Sequence, residues 1–270
     1  MLLALTILAM VVPAWYDRHM NIPILIVMLL LGHVLGDFYF QRRCAEDKKR
    51  TFLPWLLLHW AVYSAGIIMA LGSLVKFGGV EFSRNLLWIF LFVSISHLAV
   101  DFCNILYREN SGRSLTIDQA AHLVSIFIAY MIWGNSLEIS SFLYEFSGKL
   151  TIALGLLIIM RPVGLWIESL NVWPLKQLAQ SPDDMCDAHE DALQKDVSRI
   201  IGYLERIIMY FLLLSGQYSA IGLVVAAKSI ARFPEINNKN SWLQANYYIV
   251  GTFLSLVAVI SVSVVLGFVP

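Results

Sequence analysis

Charge is scarce in this chain, and cysteine scarcer. Only 14% of the 270 residues are charged, where soluble domains carry about 25%. Basic and acidic residues balance at 19 each, for a formal net charge of +0, which removes the basic surface a nucleic-acid partner requires. The three cysteines, Cys44, Cys103 and Cys186, are scattered and form no C-x-x-C pair, which speaks against a disulfide framework and a zinc ribbon. No P-loop, G-x-S-x-G or H-E-x-x-H is present, so the chemistries those motifs carry have no foothold. Alternating strands of a membrane barrel are missing as well. What the chain has in abundance is apolar side chains, at 59% and a mean hydropathy of +0.70. The expected fold class is therefore all-α, a polytopic transmembrane helix bundle.

Apolar runs of spanning length fall at about 22–40, 52–72, 86–107, 117–134, 150–170, 200–225 and 247–269, predicting seven spans. Residues 1–21 form an apolar extension or a short helix, an eighth span at most; Met1 to Val12 lack the basic start of a signal peptide. Loop 41–51 carries Arg42, Arg43, Lys48, Lys49 and Arg50, so it is expected to face the cytoplasm. Alternation then places loops 107–116 and 171–199 inside and the acidic loop 135–148 outside. Lys228, Arg232 and Lys239 fit this order poorly, so 226–235 is read as an interfacial or re-entrant helix. Loop 171–199 is expected to be a solvated acidic stretch leading into a helix.

Within the apolar runs lie two copies of one pattern. His33-x-x-x-Asp37-Phe38 and His97-x-x-x-Asp101-Phe102 each set an imidazole and a carboxylate on one helix face. A second histidine follows each copy: His97 stands 64 residues after His33, and His122 stands 63 after His59. The matched offsets predict that 22–134 is a duplicated helix hairpin, followed by C-terminal membrane helices over 135–270. Asp118 lies four residues before His122. All these groups are expected at one depth, toward the cytoplasmic side.

Ionisable groups inside a bilayer are costly unless paired, coordinated or hydrated, which makes them functional candidates. Imidazole with carboxylate is the ligand set of hydrolytic zinc and of non-haem iron or manganese. The candidate ligands of such a divalent metal are His33, Asp37, His59, His97, Asp101, Asp118 and His122, with Asp37, Asp101 or Asp118 also able to activate water. Two ions sharing Asp37 and Asp101 would suit phosphate-ester hydrolysis. Purely structural His–Asp pairs and a proton or cation relay in a transporter account for the same residues. Gln41 and Gln119 are candidate partners that orient ligands. Toward the C-terminus, Arg206, Lys228 and Arg232 can hold an anionic headgroup or phosphate, or simply snorkel to the interface; Glu205 and Glu235 can neutralise them.

The pattern Gly32-His33-x-x-Gly36-Asp37-Phe38 with Gln41, then Leu58-His59, Ser96-His97-x-x-x-Asp101 and Asp118-Gln119-x-x-His122, resembles a bacterial family of membrane proteins known as domain of unknown function 3307. Ile201-Gly202-Tyr203-Leu204-Glu205-Arg206, Gly216-Gln217 and Ala226-Ala227-Lys228-Ser229 look like the tail of its longer members. The resemblance implies a multi-pass protein of the bacterial cytoplasmic membrane and implies no activity. Three functions stay open at this point. One is a metal-dependent hydrolase acting on a membrane lipid, a lipid-linked or a phosphorylated substrate. The others are a proton- or cation-coupled transporter and a scaffold without chemistry.

Overall fold

The computed structural model describes residues 23–40, 53–107, 112–137, 139, 141–179, 188–231 and 242–268. Stretch 1–21, the basic loop 41–51 with Gln41 and Cys44, Cys186, and Arg232 to Lys239 lie outside the described residues. Every regular element among those described is a helix. Four helical stretches are long and apolar enough to cross a membrane: Leu53–Phe77, Arg84–Leu106, Leu115–Trp133 and Leu143–Leu170. Ile24–Tyr39, Tyr218–Ile230 and Ile249–Val265 are apolar but shorter.

The chain divides into two compact units, Asn21–Leu154 and Gly155–Pro270, the latter grouped with Met1–Met20. In the first, α1 (Ile24–Val34) starts behind Pro23 and runs into a π-helical turn, Leu35–Tyr39. Helix α2 (Leu53–Phe77) takes Pro54 in its first turn, where a missing N–H costs nothing. It stops at Gly78-Gly79, with Gly79 at φ 63°, a left-handed residue that closes a helix end and that a side chain would disfavour. Ser83 caps α3 (Arg84–Tyr107), its hydroxyl accepting from the Leu86 N–H at 3.4 Å. Helix α4 (Gly112–Trp133) follows.

Helix α1 packs on α2, α2 on α3, α3 on α4 and α4 back on α1, a closed ring of four helices. Ile24, Leu25, Leu29, Leu56, Ile67, Ile89 and Ile126 fill it, all but fully buried. Glycine brings α1 and α2 together. A Cβ on Gly66 would lie 2.9 Å from the Gly32 carbonyl oxygen, and one on Gly36 would lie 3.0 Å from the Tyr63 Cα. Gly32-x-x-x-Gly36 is thus a small-residue seam of the kind that lets membrane helices approach closely. The outer faces are as apolar as the inner ones. On α4, His122, Ile126 and Ala129 point inward while Leu123, Val124, Phe127, Met131 and Ile132 are about half exposed. A helix clothed this way needs lipid around it.

Helix α5 (Ser141–Met160) carries the boundary between units and passes through Arg161 into α6 (Pro162–Ala179). Helix α7 (Ala188–Leu214), α8 (Tyr218–Ala231) and α9 (Trp242–Val265) complete the second unit. Here α9 packs on α6 and α7, and α8 packs on α7, with Val163, Ile167 and Ala258 in one core cluster. Two expectations change. The run 200–225 is not one helix: it breaks after Leu214, where Gly216 takes φ 68° and Gln217 N–H bonds back to the Leu212 carbonyl at 2.9 Å. That backbone pattern reverses a helix regardless of flanking hydrophobicity. The described parts of 171–199 are helical too, since α6 reaches Ala179 and α7 begins at Ala188.

Candidate metal centre

Each helix of the four-membered ring sends polar groups inward. The α1 stretch supplies His33 and, from its π turn, Asp37; α2 supplies His59; α3 supplies His97 and Asp101; α4 supplies Asp118 and His122. The four histidines are at most 4% exposed, and Asp101 is 3% exposed. The π turn is marked by the Phe40 N–H bonding to the Leu35 carbonyl at 2.9 Å. Such wide turns cluster at functional sites because they re-aim a side chain within a helix; here the re-aimed side chain is Asp37.

The imidazole Nε2 atoms and the carboxylates meet in one knot. His59 Nε2 lies 2.7 Å from Asp101 Oδ2 and 3.3 Å from Asp37 Oδ1. His97 Nε2 is 3.0 Å from His59 Nε2 and 3.7 Å from Asp101 Oδ2. His122 Nε2 is 3.4 Å from Asp118 Oδ1 and 3.8 Å from Asp101 Oδ1, and it makes no hydrogen bond to either. Asp37, His59 and His97 form one group whose donor atoms converge closely enough for a metal ion, and His97, Asp101 and His122 form another. His33 stands apart from both. It donates through Nε2 to Gln119 Oε1 at 3.2 Å, which spends the nitrogen that would otherwise face a cation.

Amides line the less buried edge of the knot. Gln119 donates to Asp37 Oδ2 at 2.8 Å and to Asp118 Oδ2 at 3.1 Å, so one amide ties His33 and two carboxylates together. Asn104 donates to Asp118 Oδ1 at 2.5 Å. On the other side, the Tyr63 ring stacks on His97 with centroids 3.5 Å apart and planes within 1°. The inner walls of α2 and α3 are joined by a Ser64–Ser94 hydroxyl contact and by the Trp60 indole donating to the Ser94 carbonyl at 2.9 Å.

Two features of this arrangement concern a cation. Metal–ligand bonds of about 2.1 Å put neighbouring ligand atoms about 3.0 Å apart in an octahedron and about 3.4 Å apart in a tetrahedron. The His59–Asp37 and His122–Asp118 separations, 3.3 and 3.4 Å, match coordination edges and are long for hydrogen bonds. Neutral imidazoles and amides can donate hydrogen bonds to three clustered carboxylates, but they do not cancel the charge. A divalent cation does. Nδ1 of His33, His97 and His122 is buried without a hydrogen-bond partner. The orientation of His97 is therefore set by stacking on Tyr63, where ligating histidines more often lean on a hydrogen-bonded outer partner.

All seven sequence candidates, His33, Asp37, His59, His97, Asp101, Asp118 and His122, are found in this cluster, with Gln119 beside them. Sequence reading missed Asn104 and Tyr63. Both were within reach of the same rule, since Asn104 lies three residues after Asp101 and Tyr63 four after His59, on the same helix faces.

The other cationic candidates are engaged in packing the second unit. Arg206 is buried between Gly164 and Gly202, donating to the Ile159 carbonyl at 2.7 Å and the Met160 carbonyl at 3.1 Å. It thus satisfies backbone oxygens at the end of α5. Lys228 pairs with Glu205 at 2.5 Å, tying α8 to α7 across the Gly216 turn. Arg232 lies outside the described residues.

Residues 25–148 match the family described as protein of unknown function, DUF3307. The match spans the four-helix ring and its His/Asp cluster. No curated protein and no solved structure matches the chain.

Proposed function

Because the DUF3307 description that residues 25–148 match assigns no activity, we propose a function from the site itself: an intramembrane divalent metal centre that hydrolyses a lipid-linked or phosphorylated substrate. The observation that carries this reading is the meeting of His59, His97 and His122 Nε2 with Asp37, Asp101 and Asp118 inside a closed helix ring, with His59–Asp37 and His122–Asp118 at coordination-edge spacings. Zinc, manganese and iron all suit imidazole with carboxylate. When bound, the ion would polarise the substrate and lower the pKa of a water. Asp37 is well placed to handle that water's proton: its side chain is 8% exposed against 3% for Asp101, whereas Asp118, at 10%, accepts from both Asn104 and Gln119.

The wider architecture belongs to the same proposal. The chain is read as seven spans in the bacterial cytoplasmic membrane, with loop 41–51 and the mouth of the site facing the cytoplasm and the first four helices a duplicated hairpin. The pairing of His33 with His97, Asp37 with Asp101 and His59 with His122 supports the duplication. Trp55, which stands where the second copy has Asp118, is where the copies diverge.

One observation favours a second reading. Hydrogen bonds run from His33 through Gln119 to Asp37, and His59 bridges from Asp37 toward Asp101, a path along which a transporter can relay protons.

Asp37→Asn separates the two. An amide oxygen can still ligate but cannot take a proton at neutral pH. For a hydrolase, the variant keeps most of its metal and loses about 10²–10⁴-fold in turnover of phosphorylated lipids presented in vesicles, the usual weight of a general base. The measurement is phosphate release by metal-loaded protein, with and without chelator. No release from metal-loaded protein, or release that survives both the chelator and Asp37→Asn, would end the metal-hydrolase reading.

A further inference from the structure

Resting on the metal-centre reading, we propose that the site holds two divalent cations bridged by Asp101, and that its substrate class is the phosphoric monoester. The three carboxylates are not equivalent. Asp37 directs Oδ1 toward His59 at 3.3 Å while its Oδ2 accepts from Gln119 at 2.8 Å, the posture of a terminal ligand. Asp118 behaves alike, with Oδ1 toward His122 while also accepting from Asn104, and Oδ2 accepting from Gln119 at 3.1 Å. Asp101 divides its oxygens between histidines: Oδ2 faces His59 at 2.7 Å and His97 at 3.7 Å, while Oδ1 faces His122 at 3.8 Å. That is the posture of a bridging carboxylate.

The donors then sort into two sets. Asp37, His59, His97 and Asp101 Oδ2 surround one position. His122 and Asp101 Oδ1, which converge with His97, mark the second, and Asp118 Oδ1, 3.4 Å from His122, would complete three protein ligands there, leaving room for water and substrate. His122 Nε2, buried and without a hydrogen bond, is aimed into this second position.

Charge selects the substrate. Three carboxylates around a single dication leave a net negative site that repels anions; around two dications they leave a net positive one. Paired ions a few ångströms apart clamp the attacking and leaving oxygens of an in-line displacement at phosphorus. In that reaction a water oxygen forms the new bond to phosphorus and the ester P–O bond breaks. The proton lost by the water is returned to the leaving alcohol. One water is consumed, alcohol and inorganic phosphate are released, and no redox partner is required.

The test is Mn(II) titration of the full-length protein in detergent, followed by electron paramagnetic resonance. Two ions per chain with an exchange-coupled signal are expected, and Asp118→Ala, which removes the ligand oxygen, should retain one ion with an uncoupled hyperfine pattern. One ion per chain in the wild type overturns the bridged pair while leaving a metal centre in place. None overturns both readings. The wild-type count decides this even if the variant fails to fold. On the loaded protein, glycerol 3-phosphate in solution and phosphatidic acid in mixed micelles are then added separately. A changed coupled signal with the first assigns the monoester to a soluble source, and with the second to a lipid headgroup. An unchanged signal with both overturns the substrate class.

Discussion

Replacement of Asp101 with alanine is expected to remove most of the stabilisation that metal confers. A ligand that binds only the folded chain stabilises it by about 4 kcal/mol when present at a thousand times its dissociation constant. Asp101 reaches His59 at 2.7 Å and faces His97 and His122 within 3.8 Å, so its loss removes the group shared by both ligand sets. Wild-type protein should melt at a distinctly higher temperature with saturating manganese or zinc than after chelation, whereas Asp101→Ala should show a much smaller rise. The metal-free proteins should differ far less, because alanine loses the bond from His59 but also relieves repulsion among clustered carboxylates. Thermal denaturation of both proteins, with and without metal, checks this. A full metal-induced rise in Asp101→Ala would exclude Asp101 as a ligand.

Phe127→Arg should prevent stable insertion of α4. Phe127 is 55% exposed on a face shared with Leu123, Val124 and Met131, and a bilayer is the medium in which that face is at rest. Arginine at the centre of a spanning helix costs about 2.5–3.5 kcal/mol, on the order of a hundredfold in an insertion equilibrium. Phe127→Leu, equally apolar, should insert normally. Carbonate extraction of membranes expressing each variant measures the difference. Full integration of the arginine variant would place that face against protein or water.

The site was legible in the sequence because helical spacing is local. His97 with Asp101, and Asp118 with His122, needed only the i, i+4 rule, and both pairs meet in the structure at 3.7 and 3.4 Å. The π turn was not legible, since a widened turn leaves no composition signal in Leu35–Tyr39; without it Asp37 could not be told from Asp101 in role. Bridging likewise depends on how a carboxylate divides its two oxygens, which only the assembled ring decides. In the fold, hydropathy located the apolar helices but ran straight through Leu214 to Tyr218, because averaging over a window hides one left-handed glycine. Glu205 was a candidate counter-ion for Lys228 from the start, and the turn at Gly216 explains how residues 23 apart come to pair.

The most direct measurement is the metal content of full-length protein purified without chelator, alongside His59→Ala and His122→Ala. Stoichiometric zinc, manganese or iron in the wild type and a clear deficit in both variants are expected, since each variant removes one nitrogen from the knot. A wild type that holds no metal and takes up none when zinc, manganese or iron is supplied would contradict the metal centre and leave His33, Gln119, Asp37 and His59 as a proton path.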